Sequence, residues 1–113
     1  MTKFNDNVAI QFVKGENEKD HPEIRLFRNL DGKTGKAIYK FYKPTTITLM
    51  NFKSVQKMYL IDSEGELSTK KIDLSFSENS VKQVKSTYNW NSEKEFERFM
   101  RFASRYAKSL SHF

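Results

Sequence analysis

The spacing of apolar residues changes once along this chain, from two to about 3.6, and the change falls at Ser92. Before it, short alternating runs are separated by Gly, Pro and polar clusters, the pattern of antiparallel strands joined by turns. After it, Phe96, Phe99, Met100, Ala103, Tyr106, Ala107 and Leu110 recur at spacings of three and four, which predicts one amphipathic helix. Ser92 followed by Glu95 forms a capping box, in which each side chain accepts from a backbone donor that the helix start leaves unpaired. Burial of the larger stripe residues stabilises the helix by ~1.5–3 kcal/mol each, enough to hold it on a sheet. Lys94, Arg98, Arg101, Arg105 and Lys108 fall opposite the stripe as a basic ridge facing solvent or a partner. Phe102 sits between stripe and ridge, either as a partly exposed anchor or as rim packing.

The strand region divides at its turns. Val8 to Val13 places Val8, Ile10 and Phe12 on one face and is closed by Gly15 and a polar loop through His21 and Pro22. Glu23 to Arg28 alternates, with Ile24 and Leu26 opposite Glu23, Arg25 and Phe27, as in a strand with one wetter face. Asp31-Gly32 marks a hairpin turn, and Lys36 to Tyr42 is the returning strand, ended by Pro44. Thr45 to Lys53 lacks a clean period and reads as an irregular connection with some strand character. Met58 to Ile61, the turn Asp62-Ser63-Glu64-Gly65-Glu66, and a long strand Leu67 to Phe76 follow. A polar turn, Ser77 to Ser80, leads into Val81 to Trp90, where Val84, Tyr88 and Trp90 share a side. The fold class is therefore α+β: an antiparallel β-sheet with a C-terminal helix packed on one face.

Composition bounds what such a fold does. With 113 residues, 37% of them hydrophobic, the chain reads as one domain over 1–113 with one modest core, residues 1–7 forming a flexible extension. No apolar run approaches a membrane span and residues 1–7 lack the apolar centre of a secretory signal, so a soluble intracellular protein is expected. Absence of cysteine excludes disulfides, thiolate nucleophiles and thiolate metal sites. A formal charge of +6 reads either as a solubility device or as a sign of an acidic partner: nucleic acid, anionic headgroups or acidic protein loops.

The signals of catalysis fail one by one. Gly32-Lys33-Thr34 resembles the end of a phosphate-binding loop, but the earlier glycine such a loop needs is replaced by Phe27. His21 and His112 lie far apart in the chain, and Asp62, Glu64 and Glu66 lack the ligand spacing of a calcium loop, so the reading there is a solvated turn. No constellation of nucleophile, base and cofactor site is present, and an enzyme is not expected. What remains is cationic: Arg25 and Arg28 read either as sheet-face cations whose stems cover apolar neighbours or, the favoured reading, as a recognition patch for acidic groups that Lys14, Lys36, Lys40 and Lys43 extend.

Several motifs together resemble a known family. Gln11-Phe12 with Lys14-Gly15, Pro22-Glu23-Ile24-Arg25-Leu26 with Arg28, and Phe41 with Pro44 form the first half. Met58-Tyr59-Leu60-Ile61-Asp62 with Glu64-Gly65-Glu66, and Phe96-Glu97-Arg98-Phe99-Met100-Arg101-Phe102 with Arg105-Tyr106-Ala107, form the more specific second half. From Ile10 to Ala107 the chain resembles the photosystem II Psb28 family. That resemblance implies a non-catalytic accessory factor without pigment, metal or other cofactor, which docks on immature photosystem II and assists its assembly or repair. It implies contacts with reaction-centre core subunits and the C-terminal tail of the larger inner-antenna chlorophyll protein. The implied location is peripheral, on the cytoplasmic face of the cyanobacterial thylakoid or in the plastid stroma. The candidate protein-binding residues are Arg25, Arg28, Met58, Tyr59, Asp62, Glu64, Arg98, Arg101 and Arg105. The rival is a small basic nucleic-acid-binding module whose Phe and Tyr rings stack bases, although no RNA-binding signature accompanies them and no nucleic-acid partner is expected.

Overall fold

The structure, a computed structural model, describes residues 8–110. The flexible extension expected over residues 1–7 and the position of His112 lie outside the described residues. The elements run β1 (Ala9–Val13), β2 (Glu16–Asn17), β3 (Glu23–Arg28), β4 (Gly35–Phe41), a short 3-10 turn (Phe52–Ser54), β5 (Met58–Asp62), β6 (Gly65–Thr69), β7 (Ile72–Phe76), β8 (Val81–Trp90) and α1 (Glu93–Leu110).

The expected α+β class holds, with the strands divided between two antiparallel sheets instead of one. Their orders are β2-β1-β5-β6 and β3-β4-β8-β7, four strands in each. The division falls inside the run read as one strand from Leu67 to Phe76. Leu67 pairs with Leu60 in the first sheet, whereas Leu74 pairs with Val84 in the second, so the chain passes between sheets at Lys70-Lys71. The polar loop after Gly15 also holds a two-residue strand, β2, paired with β1. Thr45 to Lys53 contains no strand; Ile47 is buried and Phe52–Ser54 form the 3-10 turn.

One core joins both sheets to the helix. Ile10, Phe12, Met58 and Leu60 enter from the first sheet, and Ala37, Tyr39, Phe41, Val84 and Trp90 from the second. The Phe12 and Phe41 rings meet edge to face at 5.1 Å and so lock β1 to β4 across the sheets. The helix closes the third side: the Phe99 ring stacks on Tyr88 at 5.4 Å and on Trp90 at 5.3 Å. Trp90 fits there because its cross-strand partner is Gly35, where an added Cβ would meet the Phe27 carbonyl oxygen and lie 2.6 Å from Trp90 Cζ2. The Ser92 half of the capping box forms as read, with Glu95 N donating to Ser92 Oγ at 3.1 Å, whereas the Glu95 carboxylate accepts from Asn91 N, one residue before the cap, at 2.8 Å.

The buried arc of α1 is displaced from the predicted stripe. Phe102 is fully buried, which removes the partly exposed anchor, and Ala107 is exposed. The helix lies against two sheets, and α1 buries Phe99, Phe102 and Tyr106 most deeply, with Phe102 and Tyr106 stacked at 5.8 Å. Burial of this second flank brings the neighbouring arginines inward as well.

The loop after Pro44 is held by a buried carboxylate. Glu18 accepts from the backbone N–H of Thr45 (2.7 Å) and Thr46 (3.0 Å) and from both threonine hydroxyls, each at 2.7 Å. Burial pushes the Glu18 carboxyl up, but these donors and Asp20 N–H outweigh it and hold the group ionised, below its ordinary range.

Candidate protein-docking surface

Two surfaces collect the residues singled out in the sequence. The first is β3, an edge strand of six residues whose every side chain is exposed. The sequence suggests one wetter face, yet both sides of β3 meet solvent: Ile24, Leu26 and Phe27 are 37%, 47% and 44% exposed. An edge of this kind leaves alternate N–H and C=O groups unpaired, ready to bond an added strand.

Strand parity separates Arg25 from Arg28, three positions apart. Arg25 faces the outer side of the sheet and lines a shallow depression of ≈ 130 Å³ with Glu23, Phe27, Ile38, Lys40 and Lys85. Its guanidinium lies 3.3 Å from Glu23, which also accepts from the Tyr42 hydroxyl at 2.7 Å. Arg28 turns the other way, lying 4.2 Å over the Phe96 ring and donating to the Gly32 carbonyl at 2.6 Å. It fastens the β3–β4 turn to the start of the helix. Of the lysines expected to extend the patch, Lys40 joins Arg25, and Lys36 lies 5.7 Å over the Phe27 ring. Lys14 instead pairs with Glu66 in the other sheet, and Lys43 follows the end of β4. Lys85, which sequence reasoning missed, completes the cationic lining because its register pairs it with Lys40.

The second surface is the β5–β6 hairpin, where the turn read as solvated meets the ridge read as solvent- or partner-facing. Arg98 binds both oxygens of Asp62, at 2.7 and 2.9 Å. Arg105 bridges Asp62 Oδ2 at 2.9 Å and Glu64 Oε2 at 2.6 Å. Arg101 binds Glu64 through Nε at 2.7 Å and through its terminal nitrogen at 2.9 Å. The Asp62 side chain is 0% exposed and that of Arg98 17%. Two-point geometry of this kind fixes direction as well as distance, so α1 is clamped to the hairpin in one register.

The electrostatics follow from these contacts. Burial pushes the Asp62 carboxyl up, but the Arg98 and Arg105 guanidiniums overcome it and hold the group below its ordinary range. Arg101 and Arg105 pull the Glu64 carboxyl down to about 2. Contact with Glu64 in turn pushes both arginines up. Three arginines face Asp62 and Glu64, and Glu97 adds a further negative charge beside Arg101.

Met58 is fully buried, because residues 58, 60 and 62 of β5 alternate inward, and it serves the core instead of a docking surface. Tyr59 points the other way, half-buried, with Lys14 Nζ 4.8 Å over its ring. The structure therefore brings Asp62, Glu64, Arg98, Arg101 and Arg105 together, and leaves Arg25 apart from them. Half of the large rings among the described residues, Phe12, Tyr39, Phe41, Trp90, Phe99, Phe102 and Tyr106, are buried and closed to base stacking.

Comparison with known proteins agrees over nearly the whole chain. The family model described as Psb28 protein matches residues 10–111. A Prochlorococcus marinus (strain NATL2A) protein named "Photosystem II reaction center Psb28 protein" is 85% identical over 111 residues, covering 98% of each chain. Proteins of the same name from Prochlorococcus marinus (strain MIT 9211) and Synechococcus sp. (strain CC9605) are 45% and 42% identical, covering 96% and 88% of this chain and 92% and 78% of their own.

Proposed function

Because the chain belongs to the Psb28 family, we propose that it is an accessory factor of photosystem II that binds polypeptide segments without transforming them. It acts on immature complexes during assembly or repair, at the cytoplasmic or stromal face of the thylakoid. Its contacts are reaction-centre core subunits and the C-terminal tail of the larger inner-antenna chlorophyll protein. The single observation that carries this reading is β3, a six-residue edge exposed on both faces and flanked by the Arg25, Lys40 and Lys85 cations. A partner segment adds as a further antiparallel strand, its backbone supplying affinity and its carboxylates meeting these cations to fix register.

The arginines of α1 take a different part. Arg98, Arg101 and Arg105 are engaged with Asp62 and Glu64, so they hold the hairpin on the helix, while β3 offers the unpaired backbone. The test is affinity purification from thylakoid extracts. Wild-type protein recovers unassembled photosystem II core subunits, and R25E combined with K85E loses most of that recovery. Undiminished recovery by the double variant would remove the β3 face from the reading.

A further inference from the structure

A third surface, distinct from both of these, combines exposed apolar side chains with lysines at the end of the molecule where β4 and β7 terminate. Met50 is 95% exposed, Leu49 45% and Phe76 47%. The Phe76 ring meets Phe52 edge to face at 5.0 Å, which draws the β7 end against the 3-10 turn that follows Met50. Large apolar side chains projecting together mark a surface that is covered in use.

The turn that carries them satisfies its own backbone. Thr48 N donates to Asn51 Oδ1 at 2.8 Å, Met50 N to Thr48 Oγ1 at 3.1 Å, and Phe52 N to the Thr48 carbonyl at 3.0 Å. Asn51 Nδ2 donates to the Thr46 carbonyl at 2.9 Å, and Thr46 is itself held by Glu18. Leu49 and Met50 thus stand on a loop several of whose backbone donors are already paired, which lowers the cost of placing it in a less polar medium.

Charge selects the medium. Between Asp31 and Asp62 the chain has six lysines and no carboxylate. Three of them, Lys43, Lys53 and Lys57, lie in the loop that bears the apolar tip, and Lys53 Nζ is 6.0 Å over the Phe52 ring. Lys82 adds an exposed cation beside the cross-strand pair of Phe76 and Val81. The carboxylates nearby are few: Glu78 in the β7–β8 turn, and Glu18 and Asp20, which accept from the backbones of Thr45 and Lys43. Exposed apolar side chains with lysines along the same loop and the adjoining strand match the boundary between anionic headgroups and acyl chains, where lysine stems lie along the apolar layer and their charges meet the headgroups. A protein surface would have to supply both an apolar socket and carboxylates for these lysines.

We propose that the Leu49-Met50-Phe76 tip inserts into the headgroup layer of an anionic lipid bilayer, with Lys43, Lys53 and Lys82 holding the negative surface. The protein thereby touches lipid directly, and does so without any photosystem II subunit. Cosedimentation of the purified chain with phosphatidylglycerol–phosphatidylcholine vesicles, against phosphatidylcholine alone, tests this. Binding is expected to the anionic vesicles only, and to weaken as salt rises. L49S combined with M50D lowers the partition about tenfold or more, and each of K53Q and K82Q lowers it about fivefold. R25E, on a different face, leaves vesicle binding unchanged, and urea midpoints check that every variant is folded. No binding, equal binding to both vesicle types, or full vesicle binding by the tip variants alongside lost recovery of photosystem II subunits would each overturn the proposal, the last by assigning the tip to a protein contact.

Discussion

The β3–β4 and β5–β6 hairpins both carry acidic and basic side chains, and they dispose of them in opposite ways. In the second, Asp62 and Glu64 are gripped by three arginines of α1 at 2.6 to 2.9 Å, and the aspartate side chain is wholly buried. In the first, Arg25 lies 3.3 Å from Glu23 with 67% of its side chain exposed, on a strand whose outer edge is open. Charges enclosed and chelated determine where elements sit; charges left in water are weakly held and remain available to a partner. The same residue types therefore build the molecule in one hairpin and address its surroundings in the other.

The largest expected effect breaks the enclosed side. D62A removes the buried carboxylate that Arg98 grips at two points and leaves Glu64 as the remaining partner of Arg98 and Arg105, and urea unfolding should show a loss of ~2–4 kcal/mol. A loss under about 1 kcal/mol would mean that the cluster is no more than surface pairing. Next comes the junction of the first hairpin with the core. G35A forces a methyl against the Phe27 carbonyl and the Trp90 ring, and should cost ~1–3 kcal/mol, read as a lower urea midpoint.

Acid gives a smaller, graded effect. Asp62, Glu64 and Glu18 titrate lower in the folded chain than in the unfolded one, so the unfolded chain takes up protons first as pH falls. Their contribution is complete above about pH 5 and declines as pH drops toward the folded values, about 2 for Glu64. Thermal midpoints against pH should follow that course. D62N combined with E64Q should flatten it, and an unchanged slope would place the acid sensitivity elsewhere. The smallest effect sharpens the open side: R25E should shift stability by no more than ~0.5 kcal/mol while reducing recovery of photosystem II subunits. A large stability loss would show that Arg25 belongs to the frame after all.

The sequence makes the helix legible down to its cap, because Ser92, Glu95 and the 3.6-residue repeat are local signals. The Asp31-Gly32 turn is legible for the same reason. The division into two sheets is written more faintly: Leu67 is an odd position and Ile72, Leu74 and Phe76 are even, and that slip of parity at Lys70-Lys71 marks where the chain changes partners. The clamp is not legible by local reading, since Asp62 and Arg98 stand 36 positions apart and each looks solvated on its own. Phe102 is misplaced for a related reason. Its helical neighbours Arg98, Arg101 and Arg105 look like a wet face until the hairpin draws them over it. Glu18 is likewise hidden, because the two threonines that enclose it lie 27 and 28 residues on.

The passage of one uninterrupted run from β6 to β7 has a mechanical consequence. Because each sheet owns one end of the same taut stretch of backbone, and Phe12 meets Phe41 between them, neither sheet can peel away while its neighbour stays intact. Tension applied to one border is handed across the seam to the opposite layer, so the scaffold yields as a single block.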